Sequence, residues 1–272
     1  MHPELFRIGP LVVNSYGVML AMAFILGIFL TLKKAEKRGI DNNTIINLAF
    51  IVMISAIVGS RLFYVLFHLD EFKGRWVYTF LPIQPDGSIG LGGLIFLGGF
   101  LGALLSGAIY IHLKKLSFWK VVDSVAPSLA LGLFLGRIGC FLNGCCYGKT
   151  CDLPWAVKFP PNSPAGYQMG DVAIHPTQLY SSAYGLLIFI ILMLLDRKVH
   201  KDGFLFFIFL ILYGISRFIV DFFRFYETQM FLIDGIEFNQ ILSLLLVIGG
   251  LILLVMKKRG DINVEAQKGI NP

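Results

Sequence analysis

The chain has 272 residues, of which 56% are hydrophobic and 15% charged, and its mean hydropathy is +0.75. A soluble domain carries about 25% charged residues, so this composition excludes an ordinary water-soluble protein and indicates a polytopic membrane protein. The formal net charge of +6 is accounted for by basic loops beside membrane spans, and we expect no nucleic-acid partner.

Seven apolar runs are long enough to cross a bilayer as helices. We therefore expect an all-α protein with a single membrane domain at residues 1–260 and a loose cytoplasmic tail at 261–272. The predicted limits of the spans are, in chain order, Ser15–Leu32, Ile45–Leu66, Ile89–His112, Trp119–Leu142, Gln178–Leu195, Phe204–Val220 and Ile241–Met256.

The distribution of lysine and arginine predicts the orientation. Most of these residues fall in the connections on one side of the predicted spans, and positive charge marks the cytoplasmic side. Seven spans then place the N-terminus outside and the C-terminus in the cytoplasm, with long outward-facing loops near 68–88 and 143–177. The cytoplasmic groups are Lys33, Lys34, Lys37, Arg38, Lys114, Lys115, Lys120, Arg197, Lys198, Lys201, Lys257, Lys258, Arg259 and Lys268.

Arginines lie in or against the apolar runs at four positions: Arg61, Arg137, Arg217 and Arg224. An arginine at the centre of a spanning helix costs about 2.5–3.5 kcal/mol on insertion scales, so each is a candidate functional residue. A snorkelling side chain or a buried ion pair is the alternative, and it is the favoured interpretation for Arg61.

The stretch "SRFIVDFFRFYE" places Arg217, Asp221 and Arg224 at i, i+4 and i+7, which predicts one shared helix face. Arg217 and Asp221 can pair, so a positive charge is left over. Arginine makes two-donor contacts with phosphate. We therefore expect a site for the headgroup of an anionic phospholipid, with a purely structural network as the alternative.

Other polar or small residues flank the spans. The glycine-rich stretch "GSIGLGGLIFLGGFLGALLSG" at 87–107 predicts either close helix packing or a broken helix that lines a cavity. Pro176 after His175 favours a helix start near the outer interface, where a helix N-terminus helps to hold an anion. Tyr16, at the outer end of the first span, is either functional or an ordinary interfacial aromatic.

All four cysteines of the chain lie in "GCFLNGCCYGKTC". The favoured interpretation is a disulfide from Cys145 or Cys146 to Cys151 in an oxidising compartment. A catalytic thiolate activated by Arg137 or Lys149 is the second possibility. Metal binding is the third possibility and ranks last, because the spacing matches no zinc pattern. We predict no metal site and no cofactor. Cys140 is expected to be a small buried apolar residue.

Seven co-linear motifs now identify a family. "YGVML", "VGSRLFYVLF", "GGLIFLGGFLGA", "GRIGCFLNGCCYG", "HPTQLY", "SRFIVDFFR" and "NQILSL" cover nearly the whole chain. Together they resemble the prolipoprotein diacylglyceryl transferases of bacterial inner membranes. That resemblance implies seven spans with the N-terminus outside. It also implies transfer of the diacylglyceryl group of phosphatidylglycerol to the cysteine thiol of a prolipoprotein lipobox, with release of glycerol phosphate.

The resemblance also implies site residues. Arg137 matches the signature arginine that holds the lipid phosphate, and Arg217, Asp221 and Arg224 match a late Arg, acidic residue and Arg, the acid usually being Glu. Tyr16 matches a functional tyrosine. Asn143 and Gly148 match an asparagine and a glycine of the signature. His175 is a further expected lipid contact, and the candidate proton acceptors are His175, Tyr16 and Tyr147.

Three positions depart from the family pattern. Cys140 and Cys145 stand where the family has Asn and Glu, and Leu97 stands where many members have a histidine thought to act in catalysis. Leucine cannot accept a proton. Either the arginines suffice, by lowering the pKa of the acceptor thiol and stabilising charge on the departing phosphate, or the function has changed. A lipid-binding or transport protein and a membrane thiol–disulfide oxidoreductase are the alternatives.

Overall fold

The computed structural model describes residues 4–8, 11–72, 93–226, 231–233 and 236–268. Within these residues the chain is mostly helical, with four short strands. The elements are β1 Glu4–Ile8, β2 Leu11–Asn14, α1 Ser15–Lys37, α2 Asn42–Phe67, α3 Leu69–Phe72, α4 Phe96–Leu113, α5 Phe118–Asn143, α6 Pro164–Met169, α7 Thr177–Leu195, α8 Phe204–Asp221, β3 Phe231–Ile233, β4 Ile236–Glu237 and α9 Phe238–Lys268.

Seven of these helices are long and apolar enough to cross a membrane: α1, α2, α4, α5, α7, α8 and residues Phe238–Lys257 of α9. The predicted multi-span helical protein is thereby confirmed. The third span begins at Phe96 in the described residues, whereas the prediction began at Ile89, which lies outside them. Beyond Met256, where the last span was predicted to end, α9 continues to Lys268.

The described residues group into two compact units. The unit of residues 4–14 and 28–124 contains the antiparallel hairpin of β1 and β2 together with the packed pair α2 and α4. Small residues bring these two helices together. A Cβ on Gly98 would lie 2.6 Å from the Phe63 side chain and would collide with the Gly59 carbonyl, so backbone approaches backbone, as in small-residue membrane packing.

Within that unit, the packing interpretation of the glycine-rich stretch holds for Gly98, Gly99 and Gly102, since α4 runs unbroken from Phe96. Gly87, Gly90 and Gly92 lie outside the described residues. Arg61 on α2 donates to the Gly93 carbonyl at 3.4 Å, and its guanidinium lies over the rings of Tyr64 and Phe72. These contacts agree with a structural role for Arg61. Leu97 lies on α4 with 54% of its surface exposed.

The second unit, residues 15–27 and 125–272, contains the predicted site residues. Its core is an apolar cluster in which Ala126 and Ala130 of α5 meet Ile188 and Leu192 of α7 and Leu205 and Phe209 of α8. Small residues again allow close approach. A Cβ on Gly185 of α7 would lie 2.9 Å from the Phe134 backbone nitrogen, and one on Gly139 would lie 3.0 Å from Met19 of α1.

The connection between α5 and α7 is a structured loop. A small cluster formed by Tyr147, Phe159, Ala165 and Ile174 is its core. Isolated bridges join Ile174 to Thr150 and Val157. Ser163 accepts a hydrogen bond from the Gly166 backbone at 3.1 Å and caps α6. The loop therefore holds its polar residues in fixed positions beside the helix ends.

Candidate active site

Five helix ends of the second unit carry the polar side chains of the candidate site. They are the first turn of α1, the last turns of α5 and α8, the start of α7 and the residue before α9. The loop at 144–149 lies between the α7 start and the segment after α8. Gly148 donates to the His175 carbonyl at 3.1 Å, and Lys149 donates to the Phe223 carbonyl at 2.8 Å. The backbone therefore fixes the loop on both sides.

Gly148 is required at the narrowest point of this loop. A Cβ there would lie 2.6 Å from both the Cβ and the carbonyl oxygen of His175, and 2.7 Å from the Phe223 carbonyl. Two of these neighbours are backbone atoms that are themselves hydrogen-bonded, so they cannot move away at small cost. The signature glycine is thus explained by close backbone approach.

We expect Gly148→Ala to lower the free energy of unfolding by about 1–3 kcal/mol, the usual cost of overpacking. The loop should shift with it, so transfer activity should fall too. Thermal unfolding in detergent measures the first effect. The matched control is Gly132→Ala in α5, where a Cβ meets nothing within 4 Å and alanine favours the helix. Equal melting temperatures for the two variants would contradict the explanation.

Arg217 and Asp221 form the predicted ion pair. Arg217 Nη1 lies 2.8 Å from Asp221 Oδ1, with 13% and 0% of the side chains exposed. The Tyr226 hydroxyl joins them: it accepts from Arg217 Nη2 at 2.6 Å and donates to Asp221 Oδ1 at 2.5 Å. Burial raises the pKa of Tyr226, and its bond to Asp221 adds to this, so the phenol remains a neutral donor. Arg217 and Asp221 offset each other's charge, and Asp221 Oδ2 is buried without a hydrogen-bond partner among the described residues.

Arg224 does not share the helix face of Arg217 and Asp221. That prediction is wrong because α8 ends at Asp221, and Arg224 lies after it, in an isolated bridge with Gly148. Its guanidinium still reaches the same region and lies 5.2 Å from the Tyr226 ring centroid. Arg224 Nε is buried and has no hydrogen-bond partner among the described residues. A donor is therefore available for an anion.

Arg137, in the second-last turn of α5, is half-buried. The groups that act electrostatically on its guanidinium include the phenols of Tyr184 and Tyr213 and the thiols of Cys140 and Cys146. In the described part of the chain no carboxylate pairs with it. Tyr16, at the start of α1, is in electrostatic range of Arg137 and of the thiols of Cys140, Cys145 and Cys146. Tyr16 and Arg137, both predicted from sequence, are thus influenced by the same group of thiols.

Three cysteines cluster at this point. The Sγ atoms of Cys140, Cys145 and Cys146 all lie within 4.8 Å of one another. The neighbouring thiols of Cys140 and Cys145 lower the pKa of Cys146, and the guanidiniums of Arg224 and Arg137 add to this. Asn143 is in hydrogen-bond range of Cys145. Arg137 and Arg224 thus both act electrostatically on the Cys146 thiol.

The expected bridge to Cys151 is not formed in the structure, where all four cysteines are free thiols. Cys151 belongs to the loop instead, and its sulfur accepts the Leu153 backbone N–H at 3.4 Å. Cys140 is buried as predicted, but its sulfur belongs to the cluster rather than to an apolar core. Spacing along the chain could not show that the helix end and the loop bring these thiols together.

His175 lies at the edge of the site. Its Nδ1 is 3.2 Å from the Tyr180 hydroxyl, and its ring packs against Phe223 with centroids 5.1 Å apart. Its carbonyl receives the Gly148 N–H. Tyr147, another candidate proton acceptor, is buried and stacks on Phe225. Aromatic partners therefore position both side chains.

Glu237, directly before α9, was not singled out from the sequence. Its side chain is buried, and burial followed by the negative charge of Asp221 raises its pKa. Lys149 acts in the opposite direction. An acidic residue bordering the last apolar run was the signal that could have found it. Tyr226 had no comparable signal, since an aromatic residue after a span is common at a membrane interface.

The fold and this candidate site define a multi-span helical membrane protein with partly buried arginines and thiols near the ends of its helices. A model of the prolipoprotein diacylglyceryl transferase family matches residues 3–256. The chain belongs to that family.

Curated relatives agree over nearly the full length. The phosphatidylglycerol–prolipoprotein diacylglyceryl transferase of Geobacter sulfurreducens is 34% identical over 261 residues, covering 94% of this chain and 95% of the relative. Those of Acaryochloris marina and Pseudoalteromonas translucida are 36% and 35% identical, covering 89% and 98% of this chain and 86% and 97% of the relatives.

Proposed function

We propose that this chain transfers the diacylglyceryl group of phosphatidylglycerol to the lipobox cysteine of prolipoproteins. A thioether forms, and glycerol phosphate is released. The family and the curated relatives named for this activity support the proposal. Two observations carry the site assignment: the guanidiniums of Arg137 and Arg224 both lower the pKa of the Cys146 thiol, and Arg224 bridges the same loop at Gly148.

Arg137 and Arg224 are the proposed phosphate ligands because their positive charges are not offset by a carboxylate in the way that the charge of Arg217 is. Arg217 is neutralised by Asp221 at 2.8 Å, so it supplies structure rather than free charge. Arg137 has no carboxylate partner in the described residues, and Arg224 keeps an unused Nε donor. Two partly buried guanidiniums attract an anion, and arginine fits phosphate with two parallel donors.

Arg137 and Arg224 also stabilise the transition state of diacylglyceryl transfer. The acceptor sulfur attacks the glyceryl carbon, and the bond between that carbon and the phosphate oxygen breaks. The departing phosphate changes from a diester with one negative charge to a monoester with two. Fixed guanidiniums that face this developing charge stabilise the transition state more than the bound lipid.

The remaining predicted site residues have proposed supporting roles. Tyr16 and Asn143 lie beside the thiols and are proposed contacts of the glyceryl or acceptor groups. Gly148 allows the loop to approach the segment after α8, and His175 is a proposed headgroup contact at the edge of the site.

We place the site at the outer face of the bacterial inner membrane. Successive spans alternate in direction, so the start of span one, the ends of spans four and six and the starts of spans five and seven all emerge on one face. The site residues occupy these five ends. The basic loops mark the other face as cytoplasmic, which gives an outer N-terminus and an inner C-terminus.

The test uses purified protein in phosphatidylglycerol vesicles with a synthetic lipobox peptide. We expect the peptide to gain the mass of one diacylglyceryl group, with one glycerol phosphate released per peptide modified. Vesicles of a zwitterionic phospholipid should give no product. Lipid binding by folded protein without any mass gain would favour a binding or transport protein. Disulfide exchange without mass gain would favour an oxidoreductase.

A further inference from the structure

Three thiols in one place require a chemical explanation that the lipid site does not provide. Cys140 lies buried in the last turn of α5, Cys145 and Cys146 follow in the loop, and the three sulfurs lie within 4.8 Å of one another. In a tetrahedral zinc site, sulfurs bonded at about 2.3 Å lie about 3.8 Å apart. Small side-chain rotations would bring these three to that spacing.

We propose that Cys140, Cys145 and Cys146 bind a zinc ion as thiolates, leaving a fourth position for the acceptor cysteine of the prolipoprotein. This role rests on the proposed function. Three protein ligands and one open position are the arrangement of a catalytic zinc site rather than a structural one.

The backbone is arranged to hold the cluster. Buried Gln178 donates to the Cys145 carbonyl at 2.8 Å, and buried Thr177 donates to the Cys146 carbonyl at 3.0 Å. The Cys145 N–H bonds to the Cys140 carbonyl at 3.1 Å. Cys146 has φ +60°, a left-handed conformation that is uncommon for a residue with a side chain. Such strain persists where the surroundings enforce it, often at functional sites.

Charge also favours a cation at this position. Three adjacent thiolates repel one another, and two arginines offset only two of their three negative charges. A zinc ion brings the group of three thiolates, Arg137 and Arg224 to a net charge of +1. The phosphate of one phosphatidylglycerol then makes the site neutral.

The zinc ion promotes loss of the acceptor thiol's proton, a role that Leu97 cannot fill as a base. A free cysteine thiol has a pKa near 8.5, whereas a thiol that binds zinc loses its proton outright. The acceptor thiol coordinates zinc and releases its proton to water. Its sulfur then attacks the glyceryl carbon, and the electron pair of the carbon–oxygen bond leaves with the phosphate. The thioether dissociates, and the three protein thiolates and the zinc are unchanged.

The experiment measures metal content and activity in the same purified full-length protein. We expect one zinc per chain by elemental analysis, and a more than tenfold loss of zinc affinity in Cys140→Ser and Cys146→Ser. Cys151→Ser is the matched control, because its sulfur lies outside the cluster, and it should bind zinc normally. Cobalt in place of zinc should show thiolate charge-transfer absorption. That spectrum should change when a lipobox peptide is added, but not when serine replaces the peptide's cysteine.

Removing zinc with a chelator should lower diacylglyceryl transfer at least tenfold, and adding zinc back should restore it. Folded, reduced protein that binds no zinc would overturn the proposal, as would transfer that is unaffected by zinc removal. A disulfide within the cluster, detected by thiol alkylation and mass, would overturn it too. Transfer activity in any of these cases leaves the proposed function standing. Zinc-loaded protein without any transfer would instead remove the proposed function.

Discussion

Replacing Arg137 with alanine is expected to lower the rate of diacylglyceryl transfer by about two to three orders of magnitude. Removal of one preorganised donor that faces a developing negative charge has about this effect in other enzymes. Arg137 has no carboxylate partner in the described residues and is close enough to Cys146 to act on its thiol. Its loss therefore leaves Arg224 as the remaining unpaired guanidinium at the departing phosphate. The mass of the lipobox peptide in phosphatidylglycerol vesicles is the measurement.

Two variants make that result interpretable. Arg137→Lys keeps the charge but not the two-donor geometry, so it should recover only part of the rate. Arg197→Ala removes an exposed arginine outside the site and should leave the rate unchanged. A wild-type rate in folded Arg137→Ala protein would show that the phosphate is held elsewhere.

Replacing Asp221 with alanine is expected to destabilise the protein by about 3–5 kcal/mol, because Arg217 would remain buried without its partner. The carboxylate is fully buried, and it also accepts the Tyr226 hydroxyl. Unfolding of the protein in mixed detergent micelles measures the change. Activity should fall as well, since the Arg217, Asp221 and Tyr226 group supports Arg224.

The chain contains a matched control for burial. Lys158 and Asp171 form an ion pair at 3.0 Å, with 55% and 89% of their side chains exposed, so Asp171→Ala should cost no more than about 1 kcal/mol. A double variant, Arg217→Met with Asp221→Leu, should recover much of the stability but not the activity, because hydrophobic replacement of a buried pair is often tolerated. Similar costs for Asp221→Ala and Asp171→Ala would contradict the role assigned to the pair.

The chemical character of the site was visible in the sequence, because charged residues in apolar runs are costly and therefore conspicuous. Arg137, Arg217 and Asp221 could be selected on that ground alone. The i, i+4 spacing of Arg217 and Asp221 also predicted their ion pair. Cys140 could not be selected in this way, because a buried cysteine is ordinary in an apolar helix.

Hydrophobic pattern and local charge by themselves determined the seven spans. Each apolar segment is long enough to cross the bilayer and satisfies its own backbone hydrogen bonds as a helix, so its insertion depends on its own residues. They also determined the pairing of Arg217 with Asp221 and the presence of arginine charge beyond what that one carboxylate offsets. Only the tertiary structure decided which groups meet. The end of α8 at Asp221 separates Arg224 from the helix, and the hydrogen bonds of Gln178 and Thr177 bring Cys145 and Cys146 to Cys140. Such contacts depend on how distant helix ends pack, and no local pattern encodes that packing.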